Sequence, residues 1–255
     1  METNKQQFPT EEVTLPSKGL LYPETSPLSK GVIEMKYMTA REEDILTNVN
    51  LIKNGTVLDK LLKSLIVTPC DYNELLIGDK NAILVAARIL GYGPEYDILL
   101  KHPETEETTK ATIDLTTLED KTLDESIVID NKNEFNFTLP ISKKQISFKL
   151  LTHRDEKKIE NELKGLKKIN RTGLEGTTKL KHQIISIEND YDKKTVRDFI
   201  DGNFLARDSR ALRNHIKNIS PDVILQADAK FEDGVVEPKV MFPLGSDFFW
   251  PDAGV

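Results

Sequence analysis

Thr39-Ala40-Arg41-Glu42-Glu43 follows one alternating stretch, Val32 to Met38, and Thr152-His153-Arg154-Asp155-Glu156 follows another, Gln145 to Leu151. The alternation sets Val32, Glu34 and Lys36 on one face and Ile33, Met35 and Tyr37 on the other, which is the period of a strand. At each Thr the hydroxyl can serve an orphan amide of a new helix turn, and the acid three residues on can reach back to the Thr amide. Both sites therefore read as a strand running into a capped helix. The pair sets the fold class: an α+β chain in which one pattern is written twice.

Reading outward from the first site, a helix runs through about Thr47, and Asn54-Gly55 interrupts it. Thr56 caps a second helix carrying Val57, Leu58, Leu61, Leu62 and Leu65. Asp79 caps a third, whose Ala82, Ile83, Val85, Ala86, Ile89 and Leu90 form a broad apolar face, and Gly91-Tyr92-Gly93-Pro94 ends it. Tyr96–Lys101 and Thr109–Leu115 then alternate around Pro103-Glu104-Thr105-Glu106 as a hairpin. In the second half, Glu134–Leu139 and Gln145–Leu151 form a hairpin with Pro140 at its turn. Thr195-Val196-Arg197-Asp198 echoes Thr56-Val57-Leu58-Asp59, and Asp208-Ser209-Arg210-Ala211-Leu212 echoes Asp79-Lys80-Asn81-Ala82-Ile83. A last hairpin joins Val223–Phe231 to Pro238–Leu244 across Glu232-Asp233-Gly234. The expected organisation is two related strand–helices–hairpin units, 30–118 and 134–246, an internal duplication. An acidic, solvated connector at 119–133 joins them. Residues 1–29 form an N-terminal arm whose first twelve residues are flexible and whose Leu15-Pro16-Ser17-Lys18-Gly19 makes a strap, and 247–255 form an aromatic tail.

The chain has 255 residues, 38% hydrophobic and 30% charged, which suits one or two folded domains rather than a disordered chain. Lys and Arg number 35 against 42 Asp and Glu, a net charge of −7, which argues against a general coating of nucleic acid or membrane. One cysteine, Cys70, excludes an internal disulfide framework and any multi-cysteine metal site. No apolar run spans a bilayer and no signal peptide is visible, so a soluble, reduced, intracellular protein is expected.

Motifs for chemistry are sparse. The histidines His102, His153, His182 and His215 are scattered, and His102 with Glu104, Glu106 and Glu107 reads as an exposed polar turn. No serine lies in a nucleophile elbow and no glycine-rich phosphate loop is present; Gly91-x-Gly93 closes a helix instead of opening one. Cys70 has no neighbouring base. The reading is therefore of a non-enzyme with no cofactor, no metal and no small-molecule substrate. Residues 157–181 carry eight Lys or Arg against three Glu, and read as a solvated helix plus a loop at 170–178. They also supply the alternative reading, a nucleic-acid-binding regulator, though no aromatic lies there to stack on bases. Two segments read as docking surfaces. Leu15, Pro16, Gly19 and Tyr22 lie in an apolar strap whose prolines forbid a helix, and Phe248, Phe249, Trp250 and Pro251 make an aromatic end that must pack on something.

Leu15-Pro16-Ser17-x-Gly19-x-x-Tyr22, Met38-Thr39-x-x-Glu42-Glu43-Asp44-Ile45-Leu46, Asn54-Gly55-Thr56-Val57-Leu58-Asp59, Leu76-x-Gly78-Asp79-x-Asn81-Ala82-Ile83 and Ala86-Ala87-Arg88-x-x-Gly91-Tyr92-Gly93 together resemble the T4-type bacteriophage baseplate family. The closing Asp247-Phe248-Phe249-Trp250-Pro251 is similar to that family's C-terminal end. The resemblance spans nearly the whole chain, with most of its specificity in the N-terminal third. It implies a structural or assembly role in the hub of a contractile-tail baseplate, without catalysis, among other hub proteins, in the virion or in the host cytoplasm during assembly. Many members carry Cys-x-x-Cys knuckles on their hairpins. Lys101-His102-Pro103-Glu104-Thr105-Glu106 and Lys230-Phe231-Glu232-Asp233-Gly234-Val235 contain no cysteine, so no structural zinc is expected here.

Overall fold

The computed structural model describes residues 9–128, 130, 132–245, 248 and 249. The chain opens with β1 (Thr10–Thr14), which pairs antiparallel with β2 (Val32–Lys36) so that Thr14 faces Val32 and Thr10 faces Lys36. Residues 10–12 are thus part of a sheet and not a flexible arm. Helices α1 (Ala40–Leu46), α2 (Val49–Lys53), α3 (Val57–Leu65) and α4 (Ile77–Tyr92) follow, then the hairpin β3 (Glu95–Lys101) and β4 (Thr108–Asp114). A short strand β5 (Glu119–Lys121) leads to β6 (Phe135–Thr138) and β7 (Gln145–Phe148), α5 (His153–Lys168), α6 (Glu175–Gln183), β8 (Ile184–Ile187), α7 (Lys193–Gly202) and α8 (Ala206–Ile219). The described chain closes with β9 (Asp222–Ile224), β10 (Gln226–Phe231) and β11 (Val236–Met241). The fold is α+β: among the described residues, eight helices accompany small antiparallel sheets ordered β1-β2, β11-β10-β4-β3, β5-β9 and β6-β7-β8.

Both halves start a helix the same way. In the first, the buried Glu42 carboxylate accepts from the Thr39 amide at 3.0 Å, from Ser64 Oγ at 2.7 Å and from Lys36 Nζ at 2.8 Å. In the second, Asp155 accepts from the Thr152 amide at 3.2 Å, from Thr152 Oγ at 3.1 Å and from Lys149 Nζ at 2.7 Å. Both are capping boxes, with a lysine three residues before the Thr added to each. In both halves the chain returns to the strand just before that lysine: Met35 bridges Ile66 at the end of α3, and Phe148 pairs with Ile184 at the end of α6. In this return to the strand α6, and not the Thr195-Val196-Arg197-Asp198 helix α7 that the local motif singled out, is placed as α3 is. Order of return to the sheet, a long-range property, outweighs a shared Thr-Val dipeptide.

Other local expectations shift for similar reasons. The helix expected to start at Asp79 is α4, which begins at Ile77 after Leu76, and Asp79 lies at its third position, fully buried, instead of capping it. The acidic stretch 119–133 is not simply a solvated connector. Glu119–Lys121 pairs with β9, and Leu123 is buried. Val223–Phe231 is two strands broken at Leu225, each serving a different sheet. In the basic segment, helix resumes at Glu175, inside the expected loop.

One continuous cluster of buried apolar side chains runs through both halves. The hairpins of the two halves merge into the four-stranded sheet, where β10 pairs with β4. At the other join, the Ile77 amide donates to Leu151 O at 3.1 Å and the His153 amide to Leu75 O at 2.8 Å, so α4 and α5 start side by side. Gly78 is required at this join, because a Cβ there would come within 1.9 Å of the Pro221 carbonyl oxygen.

Candidate functional site

The strap residues lie inside the chain's own core. Leu15 and Tyr22 are 2% and 4% exposed, and Pro16 and Gly19 are buried as well. The strap is wound around one carboxylate. Asp79 accepts from the Ser17 amide at 2.9 Å, from Ser17 Oγ at 2.7 Å and from Tyr22 Oη at 2.6 Å, while Tyr22 Oη accepts from the Leu76 amide at 2.9 Å. Tyr22 thereby satisfies an orphan amide at the start of α4. Gly19 sits at φ +78°, where a Cβ would lie 2.4 Å from the Ser29 carbonyl oxygen, so the turn admits no side chain. Burial raises the Asp79 carboxyl above its ordinary range, although the hydrogen bonds from Tyr22 and Ser17 pull it down. Burial and the neighbouring Asp79 push the Tyr22 phenol far up.

The aromatic end is equally enclosed. Phe248 and Phe249 are 1% and 2% exposed, and Phe248 packs on Tyr96 at 5.0 Å between ring centroids. Arg88, itself buried, donates from Nε to Phe248 O, from one terminal nitrogen to Gly93 O and from the other to Glu95 O, each at 3.2 Å. Its planar fork ties the end of α4, the start of β3 and the C-terminal aromatic pair together. Leu15, Pro16, Gly19, Tyr22, Phe248 and Phe249, expected to face a partner, are all buried within this chain, and their apolar surface packs on its own fold. Each large ring buried this way contributes about 2 kcal/mol. Trp250 and Pro251 lie outside the described residues.

The densest set of ionisable groups sits where the halves meet. Asp59 on α3 accepts from Tyr72 Oη at 3.0 Å, pairs with Lys157 Nζ at 3.0 Å and faces His153 Nε2 at 3.5 Å. On the other side of the ring, His153 Nδ1 lies 3.4 Å from Glu156 and 3.5 Å from Lys80 Nζ, and Lys80 also pairs with Glu156. Tyr72 and the His153 ring meet edge to face at 4.6 Å. Beside this chain of charges lies a cavity of about 310 Å³ lined in part by Leu58, Leu62 and Leu84. The parts look like acid–base machinery, but the geometry fixes them as a clamp. His153 is 2% exposed and engaged on both nitrogens. The Tyr72 phenol is pushed far up by burial and by Asp59. Desolvation works against the Glu156 carboxylate, yet His153 and Lys80 hold it down at about 2. No nucleophile with a base beside it is among these groups.

Sequence reasoning also placed His102 in an exposed turn. It is 5% exposed, packs edge-on against Phe231 at 4.5 Å, accepts at Nδ1 from the Glu104 and Thr105 amides, and points Nε2 at Asp233, 3.2 Å away. It joins the tips of the two hairpins. Among the described residues no set of three or more His, Cys, Asp or Glu side chains is placed to hold a metal ion, and no helix is long and apolar enough to cross a membrane.

The basic run 157–181 does not form one face. Lys157 turns into the clamp, and Lys158 and Lys181 line a groove beside β8. Lys164, Lys167 and Arg171 lie around the loop between α5 and α6. A helix advances about 100° per residue, so a charge count along the chain says little about charge on one side. Arg88, Asp208 and the groove were not singled out as functional from sequence, because their partners are distant in the chain.

A family model described as T4 bacteriophage base plate protein matches residues 10–233. Searches of the curated proteins and of the solved structures each returned no match.

Proposed function

This chain belongs to the T4 bacteriophage base plate protein family, and from that premise we propose that it is a structural or assembly component of the hub of a contractile-tail baseplate. It acts by docking on other hub proteins, and it joins them during assembly in the host cytoplasm. One structural observation supports docking over turnover. The four-stranded sheet ends on β3 and β11, whose outer edges pair with no strand among the described residues, and these strands carry Leu99, 74% exposed, and Met241, 80% exposed. Unpaired strand edges with exposed apolar side chains are ready templates for a partner's strand. The ionisable groups of the interior, by contrast, are consumed by each other.

The test is incorporation. Leu99→Lys and Met241→Lys change side chains that bury little, so thermal stability should hold while recovery of the protein with tails or hub subassemblies from infected cells falls sharply. Normal incorporation of both variants would remove these edges from the docking role. Recovery with subassemblies only, never with complete tails, would assign the chain to assembly and not to the finished particle.

A further inference from the structure

A groove of about 560 Å³ opens between α5, β8 and α7. Five cations line it, Lys149, Lys158, Lys181, Lys193 and Arg197, against one carboxylate, Asp155. Lys and Arg thus gather here on a chain whose net charge is −7, although three of them are paired with carboxylates. Lys149 is committed to Asp155 at 2.7 Å, Lys181 to Asp201 at 2.6 Å, and Arg197 to Glu162 at 3.2 Å. Lys158 and Lys193 are exposed and have no ion-pair partner among the described residues. Its floor rests on Ile184 and Val196, which are buried in the core at 5% and 3% exposure, and its accessible apolar lining is the half-buried Ile185 together with Tyr191, 56% exposed. Strand β8 is the outer strand of its sheet.

We infer that this groove takes an extended acidic segment of a neighbouring baseplate protein, one in which carboxylates alternate with aliphatic side chains. Alternation follows from geometry: successive side chains of a strand point to opposite sides, so one set reaches Ile185 and Tyr191 while the other reaches Lys158 and Lys193. The unpaired lysines supply electrostatic complementarity and steer encounter, and burial of Ile185 and Tyr191 adds affinity. A nucleic-acid backbone fits less well. It needs a continuous basic track, whereas Glu162 and Asp201 are ion-paired with lining residues and the other lysines of the α5–α6 region face elsewhere. The inference rests on the docking role proposed above and names the chemistry of one partner.

The experiment titrates the full chain into a fluorescent peptide of alternating Glu and Val, and separately into a short DNA duplex, at low salt. The acidic peptide is expected to bind, the Lys158→Glu/Lys193→Glu double variant to weaken it at least about tenfold with an unchanged melting temperature, and Ile185→Ser to weaken it less. Tighter binding to the duplex, absence of peptide binding, or indifference to the double variant would each overturn the proposal. In infected cells the same double variant separates the two readings. Normal incorporation with loss of peptide binding rejects this groove as the partner site and leaves the hub role standing. Failure of incorporation for Leu99→Lys and Met241→Lys bears only on the sheet edges.

Discussion

Asp79 and Asp208 hold the same place in the two halves. Each is the third residue of a helix that follows a capping-position leucine, Leu76 or Leu205, and each is sealed from solvent. Each carboxylate also receives the loop that follows a Leu-Pro pair. Asp79 binds Ser17 after Leu15-Pro16, and Asp208 binds the Ile141 amide at 2.7 Å and the Ser142 amide at 3.0 Å after Leu139-Pro140. Yet their carboxyls shift in opposite directions. Burial wins at Asp79 and raises it. At Asp208 burial also opposes ionisation, but the two amides and the nearby Arg207 prevail and lower it. The difference lies in the connection above each aspartate. Between β6 and β7 the chain makes a tight turn, closed by the Lys143 amide on Leu139 O. Between β1 and β2 it makes a long strap that lays Tyr22 over Asp79 and presents one amide and two hydroxyls in place of two amides. The same local arrangement thus anchors a turn with an exposed Ile141 in one half and pins a buried strap in the other.

The largest effect should come from deleting these pins. Asp79→Ala strands the Ser17 amide and leaves the Ser17 and Tyr22 hydroxyls without their acceptor. A loss of about 4 kcal/mol in urea unfolding is expected, since each buried group left unpaired costs about 1–3 kcal/mol. Asp208→Ala strands two amides nearer the surface and should cost about 2 kcal/mol. Equal losses would break the comparison, because the strap would then contribute nothing beyond the turn that replaces it.

The helix starts allow a finer comparison. Glu42 gathers Lys36, Thr39 and Ser64, whereas Asp155 gathers only Lys149 and Thr152. Desolvation acts against the Glu42 carboxylate, but the hydrogen bonds from Lys36, Thr39 and Ser64 hold it at about 2. A depressed acid stabilises the fold above its unfolded pKa, and that contribution fades as pH falls toward the folded value. Glu42→Gln should therefore cost about 2 kcal/mol at neutral pH and little near pH 2, and Asp155→Asn about 1 kcal/mol at neutral pH. Unfolding curves at both pH values for both variants would show it; an Asp155 deficit as large as that of Glu42 would make Ser64 irrelevant.

How much of this was legible in the sequence depends on distance along the chain. The capping boxes and the hairpins β3–β4 and β10–β11 were legible because their signals are local: a Thr and an acid three apart, or period-two runs flanking a polar turn. Thr10–Thr14 and Glu119–Lys121 were not, because TEEVT and EDK become strands only through partners at Val32–Lys36 and Asp222–Ile224. Asp79 was legible as an important acid at a helix start, but not as buried, since the strap that covers it lies some sixty residues earlier. The apolar strap and Phe248 and Phe249 read as needing cover, and they are buried in this chain by contacts far apart in the sequence. Arg88 stood in a family-like motif, but nothing local showed its role, because its acceptors are three carbonyls, one of them at Phe248.

The smallest effect is also the sharpest test of the opening contrast, because it is read as a sign. Asn cannot ionise, so comparing Asp→Asn variants with the parent isolates each carboxyl. With its folded pKa raised, Asp79 costs the parent stability as pH climbs from about 4, the ordinary Asp value, through the folded value. Asp79→Asn is spared this, so its stability relative to the parent should improve over that window. With its folded pKa lowered, Asp208 stabilises the parent above about pH 4 and loses that contribution as pH falls below it. Asp208→Asn should trail the parent by about 1 kcal/mol at neutral pH, where one amide donor meets an amide donor, and close the gap in acid. The two difference curves therefore slope oppositely, on opposite sides of the same pH. Parallel slopes would mean that the strap and the turn present the same environment to their aspartates, and that the long connection in the first half exists for some purpose other than burying Asp79.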